Sequence, residues 1–349
     1  MDIILISDIF LCVVSLLWLV YASISDLRKK EVANWVSLSL MFIALIIRSI
    51  VSVMLGQSIL IILGMMVLFL LFFYLFVKEK PIWIQIAGAI ILIAVGFLSR
   101  SFNSLGSVNY LSTGFIAFGI FFIISILLYY AKVFGGADAK LLMALAFVFA
   151  TTPSFLGFNY FLPVDFFGFS LSKSSFLVDF IINSLLISLV YGLVFSVIIA
   201  TRNKKKFSIK FKEINSKLKV FKIMCLIIGI IFLVLGIFQR VLIIPAILIL
   251  ILPWFYAFIK SVEQGVLVSY KSWNQLQEGD WLVENTKIGN KILKPSADGL
   301  SKEEIFLIKK LGKKVLVRDG IAYVPVFLLS VIVSLLFGNL FLGLLMLLV

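Results

Sequence analysis

Residues 49–77, 101–131, 180–201 and 321–349 carry no charged side chain, and most of their positions are aliphatic or aromatic. Stretches of that length have one economical use. A helix crosses a hydrocarbon core of about 30 Å with about 20 mostly apolar residues, and its backbone polar groups are satisfied inside the helix itself. The composition agrees: 62% hydrophobic residues, 35 phenylalanines and a mean hydropathy of +1.19, where soluble domains are apolar over roughly half their residues. The sequence therefore predicts an all-α polytopic membrane protein with about nine to ten transmembrane helices. They are expected at 4–23, 35–55, 59–77, 81–99, 109–130, 139–152, 177–200, 221–238, 241–259 and 321–347. The early charges are Asp2 and Asp8 rather than a basic cluster, so the first run reads as a retained helix and not a cleaved signal.

The charge distribution orients these spans. Of 31 Lys and Arg, all but Arg48, Arg100, Lys173 and Arg240 fall in or beside the segments SISDLRKKEVAN, VKEKP, AKVFGGADAK, the basic run from Arg202 to Lys222, and residues 260–318. With residue 1 outside, every one of these segments faces the cytoplasm, as the excess of cations in cytoplasmic loops requires. The net charge of +14 is thereby a topological signal and not a nucleic-acid footprint. The basic run reads as an anchor to anionic headgroups, and the aromatic stretch TTPSFLGFNYFLPVDFFGF as an interfacial or re-entrant segment on the outer side.

Only residues 260–320 have a soluble composition. Ser301 followed by Glu304 reads as a capping box opening the helix SKEEIFLIKKL, with Gly312 as its stop. KKVLVRDG and DWLVEN read as strands. The expected organisation is a transmembrane domain over 1–259, a small cytoplasmic α+β module over 260–320, and a C-terminal transmembrane helix over 321–349.

The chain has no histidine, and its two cysteines, Cys12 and Cys225, lie inside apolar runs. A His-based triad, a thiolate metal site and a disulfide framework are thereby excluded, and no metal or cofactor is expected. Among the carboxylates, Asp2, Asp8, Asp165, Asp179, Asp280, Asp298 and Asp319 read as solvated or capping residues. Asp26 and Asp138 differ, because both fall at cytoplasmic ends of predicted spans and hence at one depth. Each has a simpler alternative: Asp26 can balance Arg28, Lys29 and Lys30, and Asp138 can serve as an N-cap after a glycine helix stop. Taken together they form a possible dyad. Two carboxylates held close share one proton; the ionised partner activates water while the protonated one donates to a scissile carbonyl. Gly135 and Gly136 would let a peptide backbone approach, with Asn34 and Lys140 as neighbours, although Lys140 also suits a membrane-anchoring role.

Three patches in order, S-D-L-R-K-K-E-V-A-N-W around Asp26, G-G-A-D-A-K around Asp138, and residues 299–327 with V-L-V-R-D-G-I-A-Y-V-P-V-F, resemble the archaeal type IV prepilin peptidases. That family includes preflagellin peptidases and is similar to GxGD-type membrane aspartyl proteases. Ala137 stands where the general motif has its second glycine, and the CxxC motifs of bacterial relatives are absent. The resemblance implies an aspartic endopeptidase in the cell membrane. Asp26 and Asp138 would be its catalytic residues at the cytoplasmic face, acting on the leader of type IV prepilin-like precursors without N-methylation. Its partners would be those precursors and the lipid bilayer, with no nucleic acid. The additional spans lean toward pilins over archaellins as substrates. A presenilin-like intramembrane protease and a carboxylate-coupled transporter are the other readings.

Overall fold

The computed structural model describes residues 3–77, 81–101, 110–131, 133–156, 165–166, 169–170, 175–289, 291–296 and 299–346. Its helices run α1 (Ile3–Lys29), α2 (Asn34–Met54), α3 (Ile59–Val77), α4 (Ile82–Ser101), α5 (Tyr110–Tyr130) and α6 (Gly136–Val148), followed by the short strand pair β1 (Asp165–Phe166) and β2 (Phe169–Ser170). The chain continues through α7 (Phe176–Arg202), α8 (Lys204–Lys217), α9 (Lys219–Phe238) and α10 (Ile243–Gly265). Then come β3 (Val268–Lys271), β4 (Trp281–Leu282), β5 (Thr286–Ile288), β6 (Lys291–Leu293), α11 (Lys302–Lys310), β7 (Val315–Arg318), α12 (Val324–Phe337) and α13 (Leu340–Met346). Two compact units result, one from residues 1–189 with 321–349 and one from residues 190–320.

Among the described residues, eight helices are long and apolar enough to cross a membrane: α1 to α5, α7, α9 and α10. That is fewer than the nine to ten expected. The difference lies in two runs that are apolar without being long helices. The span expected at 139–152 is α6, only 13 residues long, and the span expected at 321–347 is broken between α12 and α13. At that break Gly338 takes φ 63°, ψ −127°, open to glycine and strained for other residues. Asn339 then restarts the chain as a cap, its side chain accepting the Leu342 N–H at 3.1 Å. The outer aromatic segment lies mostly outside the described residues.

In the first unit α6 is the centre, with Leu141 through Val148 all buried. A helix apolar on every side has no face for solvent and is enclosed by its neighbours. Phe147 joins a cluster of rings with Phe69, Phe115 and Phe118, centroids 5.1–5.9 Å apart. The close approach of α5 depends on Gly114, where a Cβ would lie 2.5 Å from Phe147 and 3.0 Å from Arg48.

Short helices inside an apolar unit leave their terminal N–H and C=O groups without water, so other elements must supply partners. Arg48 of α2, fully buried, does so for the C-terminal end of α6. Its guanidinium donates to the carbonyls of Phe147, Val148 and Tyr110, each at 2.8 Å, and to Thr151 Oγ1 at 3.3 Å. It also sits over the Tyr110 ring, whose hydroxyl donates to Asp8 at 2.5 Å. Asp8, expected among the solvated or capping acids, is 6% exposed and also accepts the Ser154 N–H at 2.8 Å. Asp179 is likewise buried and accepts the Asn339 side-chain amide at 3.0 Å. Both departures have one cause: helices too short to reach water recruit carboxylates and amides from distant parts of the chain. Asp2 and Asp298 lie outside the described residues.

In the second unit the basic run from Arg202 folds into α8, and α9 and α10 form the tight hairpin that Gln239 and Arg240 predict. The module has a three-stranded antiparallel sheet in the order β3-β7-β4 and a separate β5-β6 hairpin. Val315 and Val317 of β7 and Ile308 of α11 are buried in its core. The capping box is present: Ser301 Oγ accepts the Glu304 N–H at 3.3 Å and the Glu304 carboxylate accepts the Ser301 N–H at 3.0 Å. Gly312 stops the helix with φ 59°.

Candidate active site

Asp26 occupies the last turn of α1. The helix closes at Lys30, whose φ of 55° puts it in the left-handed region used to end helices, and its N–H bonds the Asp26 carbonyl at 2.8 Å. Ser25 Oγ donates to the Glu31 carbonyl at 2.8 Å, fixing the link into α2. The Asp26 carboxylate is 7% exposed. It points at the start of α12, where Oδ2 accepts the Val324 N–H at 3.0 Å. Asp26 is thus a cap supplied across the chain to a helix that begins in the interior, satisfying a donor that α12 cannot pair itself.

Asp138 is the third residue of α6. Its Oδ2 accepts the N–H of Gly135, the N-cap residue, at 3.1 Å. The alternative drawn from sequence made Asp138 the cap itself; the helix starts three residues earlier, and the carboxylate reaches back as the distal half of a capping box. Asp26 and Asp138, 112 positions apart in sequence, lie within electrostatic range of each other, because α1 ends where α6 begins.

The supporting residues are brought to the same end, with one change of reason. Lys140 donates to Asn34 Oδ1 at 2.8 Å, tying the second turn of α6 to the first residue of α2. Gly135 has φ −72°, ψ 164°, an extended conformation open to any residue, and Gly136 is helical, so no turn here demands glycine. What Gly136 provides is room: among the described residues a Cβ there would meet Tyr129 at 3.7 Å, whereas one on Gly135 would press on Asp138 Oδ2 at 3.3 Å. Aromatic side chains surround this end: Trp35 packs against Trp18 and Tyr21, and Tyr129 against Tyr130. Such rings favour the boundary between hydrocarbon and water.

The start of α12 was part of the C-terminal patch, yet sequence reasoning assigned it no role in the site. Its one local signal is Pro325 near the head of the last apolar run, a residue suited to the first turn of a helix. Tyr323 sits between the two aspartates. Its neighbour Val324 gives its N–H to Asp26, its hydroxyl lies within electrostatic range of Asp138, and its ring packs on Phe134 with centroids 5.0 Å apart. Phe134 directly precedes the Gly135–Gly136 pair.

Chemically, the site offers two carboxylates whose described hydrogen bonds come from main-chain N–H groups, beside the Gly135–Gly136 backbone. Such a pair can share a proton and activate water. Compared with protein-family models, curated proteins and solved structures, the chain matches none of them.

Proposed function

We propose that the chain is an integral-membrane aspartyl endopeptidase. It removes the leader of type IV prepilin-like precursors at the cytoplasmic face of the cell membrane, without N-methylating the new terminus. The observation that carries this reading is the convergence of Asp26 and Asp138 from helix ends 112 residues apart. Support comes from the basic segments flanking both residues, which mark the cytoplasmic side, and from the space beside the backbone at Gly136. A precursor with a short polar leader ahead of an apolar helix presents its scissile bond at that same depth.

In the reaction the ionised carboxylate takes a proton from water as the water oxygen attacks the scissile carbonyl carbon. The protonated carboxyl gives its proton to the carbonyl oxygen. The tetrahedral species then collapses, the C–N bond breaks, and the departing amine takes up a proton from the dyad.

One competing reading has a specific observation behind it: both carboxylates make helix-end hydrogen bonds, which is what purely structural caps do. Asparagine separates the two, since its amide oxygen accepts at a helix start about as well as a carboxylate but cannot act as a base. Co-expression with an epitope-tagged precursor, read by the gel shift on leader loss, should show Asp26→Asn and Asp138→Asn each slowed by about a hundredfold or more, with protein levels unchanged. Normal processing by either variant refutes the dyad and leaves the capping role. A wild type that cleaves no precursor turns attention to a carboxylate-coupled transporter, and cleavage inside the apolar segment to a presenilin-like protease.

A further inference from the structure

The two aspartates have no hydrogen bond to each other among the described contacts, and their partners lie on different elements. Asp26 is held by the main chain at the head of α12, and Asp138 by its own helix start at Gly135. Something must hold those two anchors in register, because a displacement of about 1 Å in a catalytic constellation can cost on the order of a hundredfold in rate. Lys140 with Asn34 ties α6 to α2, and Ser25 with Glu31 ties α1 to its own exit; neither joins α6 to α12. Among the described contacts that connection is aromatic, made by Tyr323 and Phe327 on Phe134. Tyr323 directly precedes Val324, whose N–H goes to Asp26, while the Tyr323 ring stacks obliquely on Phe134, one residue before the turn that carries Asp138. Phe327, one turn on in α12, closes the group: its ring lies 5.1 Å from Tyr323 and 5.7 Å from Phe134. Phe134 and Phe327 are buried, so the three rings form a packed wedge between α12 and the Asp138 loop. The Tyr323 hydroxyl is not part of the wedge.

We infer that Tyr323 is the positioning residue of this site, its ring setting the separation of Asp26 and Asp138 through Phe134 and the first turn of α12. This rests on the proteolytic reading for its kinetic consequence and not for its geometric one. The wedge is made by the ring and the main chain, so the hydroxyl is dispensable and the aromatic face is not.

The test uses the full chain with Tyr323→Phe, Tyr323→Leu and, from the other side of the same contact, Phe134→Leu. In cleavage of a purified prepilin, Tyr323→Phe should keep kcat within about twofold. The two leucine variants should lower kcat by about tenfold or more with KM within about twofold, since the substrate's approach at Gly135 and Gly136 is untouched. A residue needed only for folding would instead lower the amount of active protein, and titrating active sites separates that from a fall in kcat. A second readout needs no catalysis. With Asp26→Cys and Asp138→Cys in one chain, the yield of a short bifunctional thiol cross-link should be preserved by Tyr323→Phe and reduced severalfold by Tyr323→Leu. If Tyr323→Phe loses as much as Tyr323→Leu, or if neither leucine variant changes kcat or cross-linking, the inference is overturned. If no prepilin is cleaved by the wild type while the cross-linking pattern holds, the proteolytic reading fails and the positioning role stands.

Discussion

Replacing Arg48 by methionine removes a fully buried guanidinium from the first unit, and the size of the effect can be worked from the contacts. Methionine fills much of the volume of the arginine stem, so the loss is polar and not a cavity. Three carbonyls, those of Phe147, Val148 and Tyr110, lose a donor at 2.8 Å. A buried acceptor stripped of its donor costs about 1–3 kcal/mol, which bounds the total at about 3–9 kcal/mol. The low half of that range applies, because a carbonyl has two lone pairs and that of Tyr110 lies in the first turn of α5, where the helix itself bonds it; about 3–5 kcal/mol matches the removal of one member of a buried ionic network. At about 2–4 °C per kcal/mol, the unfolding midpoint falls by about 6–20 °C. Arg48→Lys keeps the charge, but one ammonium cannot span carbonyls on two helices, so it lands between wild type and Arg48→Met. The assay is thermal unfolding of the purified protein in detergent, followed by tryptophan fluorescence, since Trp18 and Trp35 belong to this unit. A midpoint for Arg48→Met within about 2 °C of wild type would mean that the end of α6 is not held as described, and the account of short, side-chain-capped helices would fall with it.

Two further outcomes follow from the geometry. Gly136 is the first residue of α6 and has space for a Cβ, so Gly136→Ala should leave the unfolding midpoint unchanged or raise stability by up to about 1 kcal/mol while prepilin cleavage drops severalfold; full activity would show that no substrate backbone passes there. In the second unit Lys271 pairs with Asp319 at 2.7 Å and with Asp280 at 3.4 Å. Burial alone would pull its proton off more easily, yet the Asp319 and Asp280 carboxylates outweigh burial and hold Lys271 above its ordinary value of 10.5. A folded value above the unfolded one means that the cluster stabilises fully below that pH and loses its contribution as pH rises through the folded value. Lys271→Met should therefore lower stability at neutral pH, with the gap to wild type closing in strongly alkaline solution; a gap independent of pH would contradict the pairing.

Much of this protein is written in its hydropathy, and the reasons are local. The long apolar helices, the α9–α10 hairpin at Gln239 and Arg240, and the Ser301–Glu304 capping box each depend on residues within one or two turns of each other, so period and spacing reveal them. The candidate site was legible to the extent that Asp26 and Asp138 sit at helix ends beside charged loops. Its third wall was not, because Val324 meets Asp26 across nearly the whole chain.

The misreadings share that origin. The runs at 139–152 and 321–347 are apolar like the long helices, yet α6 is a short enclosed helix and the last run breaks at Gly338. Apolarity records only that a segment avoids water, and a core helix avoids it as completely as a lipid-facing one. Asp8 and Asp179 read as solvated or capping acids and Arg48 as a cation outside the cytoplasmic segments, since the carbonyls and amides they satisfy lie far off in sequence and no spacing rule links them. Sequence by itself determined that this chain is built of apolar helices with charged links, and that two acids stand where those links begin. Only the tertiary structure decided which helices are too short to reach water, and a helix end with unpaired backbone groups in an apolar interior must be met by a side chain from wherever the fold can supply one.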